Sequence, residues 1–179
     1  MAGPPEPAGL SERLPRGVHD RSALRGALGA FATGVTVLTA GRENPCGMTA
    51  NSFTSVSLDP ALVLVCVVRT AAVHDRILAE GGFAVSVLSD RQEKLARYFA
   101  DRHRPRGAAE FEGVPASPGR HTGAPLLTGA LAWLECGLAA VHDGGDHSIL
   151  VGSVLGLGRG EAEPALVFHA GGFHPLGRS

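Results

Sequence analysis

The chain has 179 residues and a formal charge of −1, with 16 Lys and Arg against 17 Asp and Glu. That length suits one domain with a real core. A composition of 44% apolar and 18% charged residues excludes a disordered polyelectrolyte, and the balanced charge argues against a nucleic-acid partner.

Residues 1–20, with four prolines and three glycines before Asp20, are expected to form a flexible tail ahead of a single domain over 21–179. No apolar signal core follows Met1, so nothing marks the chain for secretion. From Ser22 to Ala32 the spacing of Leu24, Leu28 and Phe31 predicts a short helix, with Ser22 as its cap. Val35–Thr39 is β-branched and strand-like, and Gly41–Gly47, with Asn44-Pro45 near its tip, is a hairpin turn. A second extended segment runs from about Cys46 to Ser57 and is broken by Leu58-Asp59-Pro60.

Ala61–Val68 is the longest apolar run, eight residues. A membrane-spanning helix needs about 20, so it reads as a strand buried on both faces. A helix over Ala72–Glu80, stopped by Gly81-Gly82, leads to a strand over Phe83–Leu88. Ser89 or Asp90 caps a further helix through about Ala100, with Leu95, Tyr98 and Phe99 on its apolar side. Asp101–Pro125 holds four prolines and four glycines and is expected to be a long loop with at most a short strand near Phe111. Loops of that length are often functional. Three strands complete the chain, near Leu127–Val141, His147–Leu157 and Ala165–Phe168, the first two joined at Asp143-Gly144-Gly145-Asp146. Roughly seven strands and two or three helices without βαβ alternation describe a mainly β fold, an antiparallel β-barrel with peripheral α-helices.

The three cysteines, Cys46, Cys66 and Cys136, are odd in number and lack CxxC spacing, as in a cytoplasmic protein with reduced thiols. Cys66 and Cys136 lie in apolar contexts and read as core.

Chemistry concentrates in Gly47-Met48-Thr49-Ala50-Asn51-Ser52-Phe53-Thr54-Ser55-Val56-Ser57. Alternation puts Thr49 and Asn51 on one side and Ser52 and Thr54 on the other. Polar groups on both faces beside a core need partners. Two sources are open: a ligand rich in donors and acceptors, or an edge strand whose Ser and Thr groups are satisfied within the protein.

This segment, preceded by Phe31-Ala32-Thr33-Gly34-Val35-Thr36-Val37 and followed by Leu58-Asp59-Pro60, resembles the flavin reductase-like family, the reductase components of two-component flavin-dependent monooxygenases. The likeness continues through Gly82-Phe83-Ala84-Val85-Ser86-Val87-Leu88-Ser89, Leu95-Ala96, Phe99-Ala100, and Gly129-Ala130-Leu131-Ala132-Trp133-Leu134-Glu135-Cys136. It runs on through Gly145-Asp146-His147-Ser148-Ile149-Leu150-Val151-Gly152 to Phe168 and Gly171-Gly172-Phe173, covering about residues 22–176.

The resemblance implies a split β-barrel, a homodimer, FMN or FAD as flavin, and NADH or NADPH as reductant. It places the flavin against Thr49, Ala50, Asn51, Ser52 and Ser55, with Cys66, Val67, Val68, Ala72 and Val73 bordering the ring and ribityl-phosphate. A helix N-terminus at Ala72 suits a phosphate, and Arg69 or Arg97 would add charge. His147, Ser148, Ile149 and Phe173 fall on the NAD(P)H side, with His147 the catalytic candidate, orienting the dinucleotide or supporting proton delivery. Two positions depart from the family pattern: Phe173 where some relatives carry tyrosine, and Ser86 where asparagine is common.

Other constellations carry less. His142, His147, His169 and His174 match no closed metal site, so no metal is expected. Arg102-His103-Arg104-Pro105-Arg106 reads first as a solvated face and second as a field for the phosphates of flavin or NAD(P)H. No Gly-x-Ser-x-Gly elbow is present, and Gly156-Leu157-Gly158-Arg159-Gly160 does not open a helix as a dinucleotide fingerprint does. The expected activity is NAD(P)H-dependent flavin reduction supplying a separate monooxygenase. The alternatives are a flavin-binding module without reductase activity, or a flavoenzyme with tightly held FMN acting on its own substrate.

Overall fold

In the computed structural model, which describes residues 20–177, Asp20 rather than Ser22 caps the first helix. Its carboxylate accepts the backbone N–H of Ser22 at 2.8 Å and of Ala23 at 3.1 Å, opening α1 (Arg21–Gly29). The cap shifts because the acceptor must stand one residue before the helical backbone begins. The expected tail before Asp20 lies outside the described residues. Leu24, Leu28 and Phe31 face outward, Phe31 at 77% exposure.

The chain then forms β1 (Thr33–Gly34), β2 (Thr36–Ala40), β3 (Cys46–Ala50), β4 (Thr54–Leu58) and β5 (Ala61–Val68). After α2 (Ala72–Glu80) comes β6 (Gly82–Val87), then a 3-10 turn and α3 (Glu93–Ala100). The remainder is β7 (Ala116–Pro118), β8 (Pro125–Leu127), β9 (Ala132–Gly144), β10 (His147–Arg159), β11 (Leu166–His169) and β12 (Gly172–Pro175). Seven of these strands make one antiparallel sheet in the order β3-β2-β6-β9-β10-β5-β4. A three-stranded sheet, β1-β11-β12, and the β7-β8 pair complete the described strands.

The sheet order forces a barrel. β3 and β4 are the two edges of the seven-stranded sheet, yet only residues 51–53 separate them. A flat sheet of seven strands is about 29 Å from edge to edge, and that link reaches at most about 14 Å. The sheet must roll until its edges meet. Ser52 pins the meeting point: its Oγ donates to the Cys66 carbonyl at 2.9 Å and accepts the Cys66 N–H at 3.1 Å. The result is a mainly β barrel with a seam between β3 and β4 and helices outside it.

Two cores follow. α2 closes one end, with Val73 and Ile77 packed on Leu38, Val65, Val67, Phe83 and Leu150. Its C-terminus is Gly81 in the left-handed region, φ 66°, donating to Ile77 O, as glycine does without steric cost. α3 builds the second core, with Ala96 and Phe99 against Val35, Val37, Leu88 and Leu127.

The extended segment expected over 46–57 is two strands, because the chain crosses from one sheet edge to the other at residues 51–53. β5 is not buried on both faces: Val63, Val65 and Val67 are buried, while Leu62, Leu64, Cys66 and Val68 are only partly covered. A continuous apolar run does not report which face has a cover. Cys66 therefore lies at the half-open face rather than in the core. Phe111 sits in a 3-10 turn (Gly107–Phe111), not a strand, and the short strand is β7. That turn brings the Phe111 ring to 5.4 Å from Phe99. The expected strand over Leu127–Val141 is divided into β8 and β9, and β12 was not foreseen. Seven strands is the size of the main sheet, not the total.

Candidate active site

A cavity of about 450 Å³ opens beside the seam of the barrel. One wall is β3, through Gly47, Met48 and Thr49. A second is the end of β5 and the start of α2, from Val68 through Thr70, Ala71, Ala72 and Val73. The third is the end of α3 and the loop after it, including Phe99, Arg102, Arg104, Arg106 and Glu110. Small residues on the first two walls leave space, and the third supplies charge.

The α2 wall is an uncapped helix start. Ala71 stands at the N-cap and offers no side-chain acceptor to the first turn. Free N–H groups of that kind, at the positive end of a helix dipole, take an anion. The opposite wall carries three arginines against the single carboxylate of Glu110. A phosphorylated ligand fits this charge pattern.

Arg104 is the strut of the loop. Its Nε donates to Glu110 Oε1 at 2.5 Å, and its other nitrogens donate to the carbonyls of Asp101 and Gly47. Glu110 in turn accepts the Gly47 N–H at 3.3 Å, and Tyr98 Oη donates to the Glu110 carbonyl at 2.8 Å. The ion pair thus satisfies the outer edge of β3 at Gly47, which has no further strand beside it. Burial raises the Glu110 carboxyl above its ordinary range; the Arg104 guanidinium and the Gly47 N–H offset this only in part.

Of the expected site residues, Thr49, Val68, Ala72 and Val73 line this cavity together. The polar segment between them is more engaged than its composition implied. Thr49 Oγ1 donates to Ala96 O at 2.6 Å, and Ser52 is held by Cys66. Both hydroxyls therefore serve the fold, which favours the internally satisfied reading for those two side chains. Asn51 and Ser55 are exposed, with no side-chain hydrogen bond among the described residues. Ala50 and Val67 turn their side chains into the core.

His147 pairs directly with Val68, and Ile149 with Cys66, so each shares the face of its partner. His147 Nδ1 is 2.7 Å from Asp146 Oδ1, and this contact holds the Asp146 carboxyl below its usual range. Ser148 points the other way. It is buried, with Oγ 2.9 Å from His74 Nε2 on α2, so its side chain braces the helix rather than facing a nicotinamide.

Arg97 and Phe173 come together from distant parts of the chain. The Arg97 guanidinium sits 5.0 Å from the Phe173 ring centroid and pairs with Glu93, while Phe173 stacks edge-on to Phe168 at 5.3 Å. Arg69 is drawn to Asp143 at 2.6 Å and to the His147 carbonyl. The cations that line the cavity are instead Arg102, Arg104 and Arg106. In the sequence alone this run reads first as a solvated face. The signal available was three arginines in five residues, opening the one long loop. Ser86, at the position where asparagine is common in the resembled family, is buried and accepts the Leu127 N–H at 3.1 Å. Among the described residues no three His, Cys, Asp or Glu side chains cluster for a metal.

A family model described as a flavin reductase like domain matches residues 28–177. An NADH-dependent FAD reductase of Streptomyces globisporus is 51% identical over 154 residues, 86% of this chain and 85% of that protein. The flavin-dependent monooxygenase reductase subunit HsaB of Rhodococcus jostii (strain RHA1) is 37% identical over 155 residues, 85% of this chain and 76% of that one. The crystal structure of BorF, the flavin reductase component of a bacterial two-component tryptophan halogenase, superposes with a TM-score of 0.84 at 51% identity, covering 88% of this chain and 98% of that chain.

Proposed function

The chain belongs to the flavin reductase-like family, and on that premise we propose that it is an NAD(P)H:flavin oxidoreductase that supplies reduced FMN or FAD to a separate flavin-dependent monooxygenase. The observation that carries this reading is the cavity at the seam, where the motif segment at Thr49, the uncapped start of α2 and an arginine-rich loop converge. The flavin, when bound, supplies N5 as acceptor of the hydride from nicotinamide C4.

The chain's residues bind, orient and shield. The N–H groups at Ala72 and Val73 hold the ribityl-phosphate. Backbone from Thr49 to Ser52 and the side chains of Asn51 and Ser55 contact the ring edge, since the Thr49 and Ser52 hydroxyls are committed to the fold. Val68 and Cys66 border the ring. His147, oriented by Asp146, positions the nicotinamide or holds a proton near the flavin. Phe173, fixed by Phe168 and Arg97, covers the nicotinamide with an apolar face.

The protein acts as a homodimer in the cytoplasm. Leu62, Leu64, Cys66, Ile149 and Val151 form a half-covered apolar sheet face, and Leu58 on the edge strand is 94% exposed, which suits a second copy. No helix among the described residues is long and apolar enough to cross a membrane.

The test is oxidation of NADH and of NADPH by purified protein, with and without added FMN, FAD or riboflavin. Turnover stimulated by free flavin supports the reading, and no oxidation with any pairing rejects it. One equivalent of reduction without stimulation identifies a tightly held flavin instead. His147→Ala is expected to raise KM for the reduced nicotinamide about tenfold, the worth of one charge-assisted hydrogen bond, with flavin affinity unchanged.

A further inference from the structure

The cavity wall formed by the loop after α3 carries a charge pattern that a single phosphate does not use up. Arg104 is half-buried and neutralised, tied to Glu110 and to two backbone carbonyls. Arg102 and Arg106 flank it at the cavity, both exposed. Neither makes an ion pair or a side-chain hydrogen bond among the described residues. The α2 N-terminus, on a different wall, already offers N–H groups to one phosphate. The cavity therefore has two positive subsites on different walls, one of backbone dipoles and one of guanidinium groups that form no ion pair, although Arg106 also acts through space on the Glu110 charge. Arginine's planar fork suits phosphate oxygens.

We propose that Arg102 and Arg106 bind the adenylate phosphate of FAD and so make this chain prefer FAD to FMN. The inference rests on the reductase reading and deepens it. FMN carries one phosphate and fills the α2 subsite only. FAD carries a pyrophosphate whose second phosphate continues beyond that subsite. The Arg104–Glu110 strut is the positioning device. It ties the loop to Gly47 on β3, so the two flanking arginines are presented from a fixed backbone rather than a free one. His103, between them, is tied to Asp101 through its backbone N–H at 2.8 Å, which further fixes the turn.

The shared chemistry is a phosphate ester of a nucleotide, and NAD(P)H carries it too. The experiment separates the two sources. Dissociation constants for FAD and FMN are measured by direct titration in the absence of nicotinamide, for the wild type, Arg102→Ala, Arg106→Ala and the double variant. KM for NADH and for NADPH is then measured with FMN as acceptor. The double variant is expected to lose about tenfold in FAD affinity, the worth of one to two charge-assisted contacts at an exposed site. FMN affinity should fall by a clearly smaller factor than FAD affinity, and the two nicotinamide KM values should change by no more than FMN affinity does. FAD binding should weaken with salt more steeply than FMN binding, and the double variant should lose that difference. Arg102→Lys/Arg106→Lys should recover part of the FAD affinity.

Equal losses for FAD and FMN would overturn the proposal by placing the arginines at the shared phosphate. A rise confined to nicotinamide KM would overturn it by assigning them to the dinucleotide. Unchanged constants throughout would return the loop to a solvated face. Binding is read without turnover, so a failure of the reductase reading would leave flavin selectivity still measured.

Discussion

Two buried carboxylates, Glu110 and Glu135, hold the two ends of the long connection between α3 and β8, and they do so with different partners. Glu135 on β9 accepts four hydrogen bonds from the turn at residues 120–122: the N–H of Arg120 at 3.0 Å, of His121 at 2.9 Å and of Thr122 at 2.8 Å, and the Thr122 hydroxyl at 3.0 Å. Burial raises its carboxyl, but these donors outweigh that and hold it below the ordinary range. Glu110 has one arginine and one long N–H contact, and its carboxyl stays raised. The first end is sealed by neutral dipoles that cannot leave. The second is held by a charged pair on the wall of a cavity. A buried charge with many fixed donors makes a scaffold, while a pair with residual desolvation makes an adjustable wall.

The largest expected effect breaks the scaffold end. Glu135→Ala leaves three backbone N–H groups and a hydroxyl without their acceptor, at a cost of about 3 kcal/mol. That corresponds to a Tm fall of roughly 10 °C, readable by thermal melting, with flavin affinity unchanged. Gly119→Ala should come next. An added Cβ would stand 2.2 Å from Glu135 Oε1 and 3.1 Å from Ala124 O, so the carboxylate must move, costing about 2 kcal/mol by overpacking.

Glu110→Gln reverses the balance between stability and function. The amide retains shape and one acceptor, so denaturant unfolding should show a loss of only about 1 kcal/mol. The flavin dissociation constant should rise, because Arg104 no longer ties the loop to β3 as firmly. A loss of stability as large as that of Glu135→Ala, with flavin binding intact, would erase the contrast.

The smallest effect is in pH dependence, and its sign separates the two groups. Glu135 has a depressed folded pKa, so its contribution is full above the ordinary value of about 4.5 and is lost as pH falls through the folded pKa. The stability gap between wild type and Glu135→Gln should therefore shrink on acidification below that value. Glu110 has a raised folded pKa, so ionising it costs stability as pH rises through the window above the ordinary value. The gap between wild type and Glu110→Gln should narrow in the opposite direction, with rising pH. Denaturation curves across that range check both signs.

Much of this was legible in the residues. Ala61–Val68 and Ala72–Glu80 appear as elements with the bounds read from the chain, because an unbroken apolar run and a Gly-Gly stop are local signals. The ordered motifs also pointed to the family that the comparison with known proteins shows. The partners of Thr49 and Ser52 were not legible. Ala96 and Cys66 are 47 and 14 residues away, and composition cannot tell a hydroxyl reserved for a ligand from one reserved for a distant backbone group. The family resemblance puts Ser148 on the nicotinamide side with His147, but strand alternation turns its side chain to His74.

By itself the sequence determined the class of the fold, the main helices and strands, and the segment where chemistry concentrates, because these rest on periodicity, turn residues and motif order along the chain. Only the tertiary structure decided what surrounds that segment. Rolling the sheet until β3 meets β4 creates the seam, and the ion pair of Arg104 with Glu110 turns a charged loop into a cavity wall. Both depend on contacts between residues far apart in the chain, which local pattern does not encode.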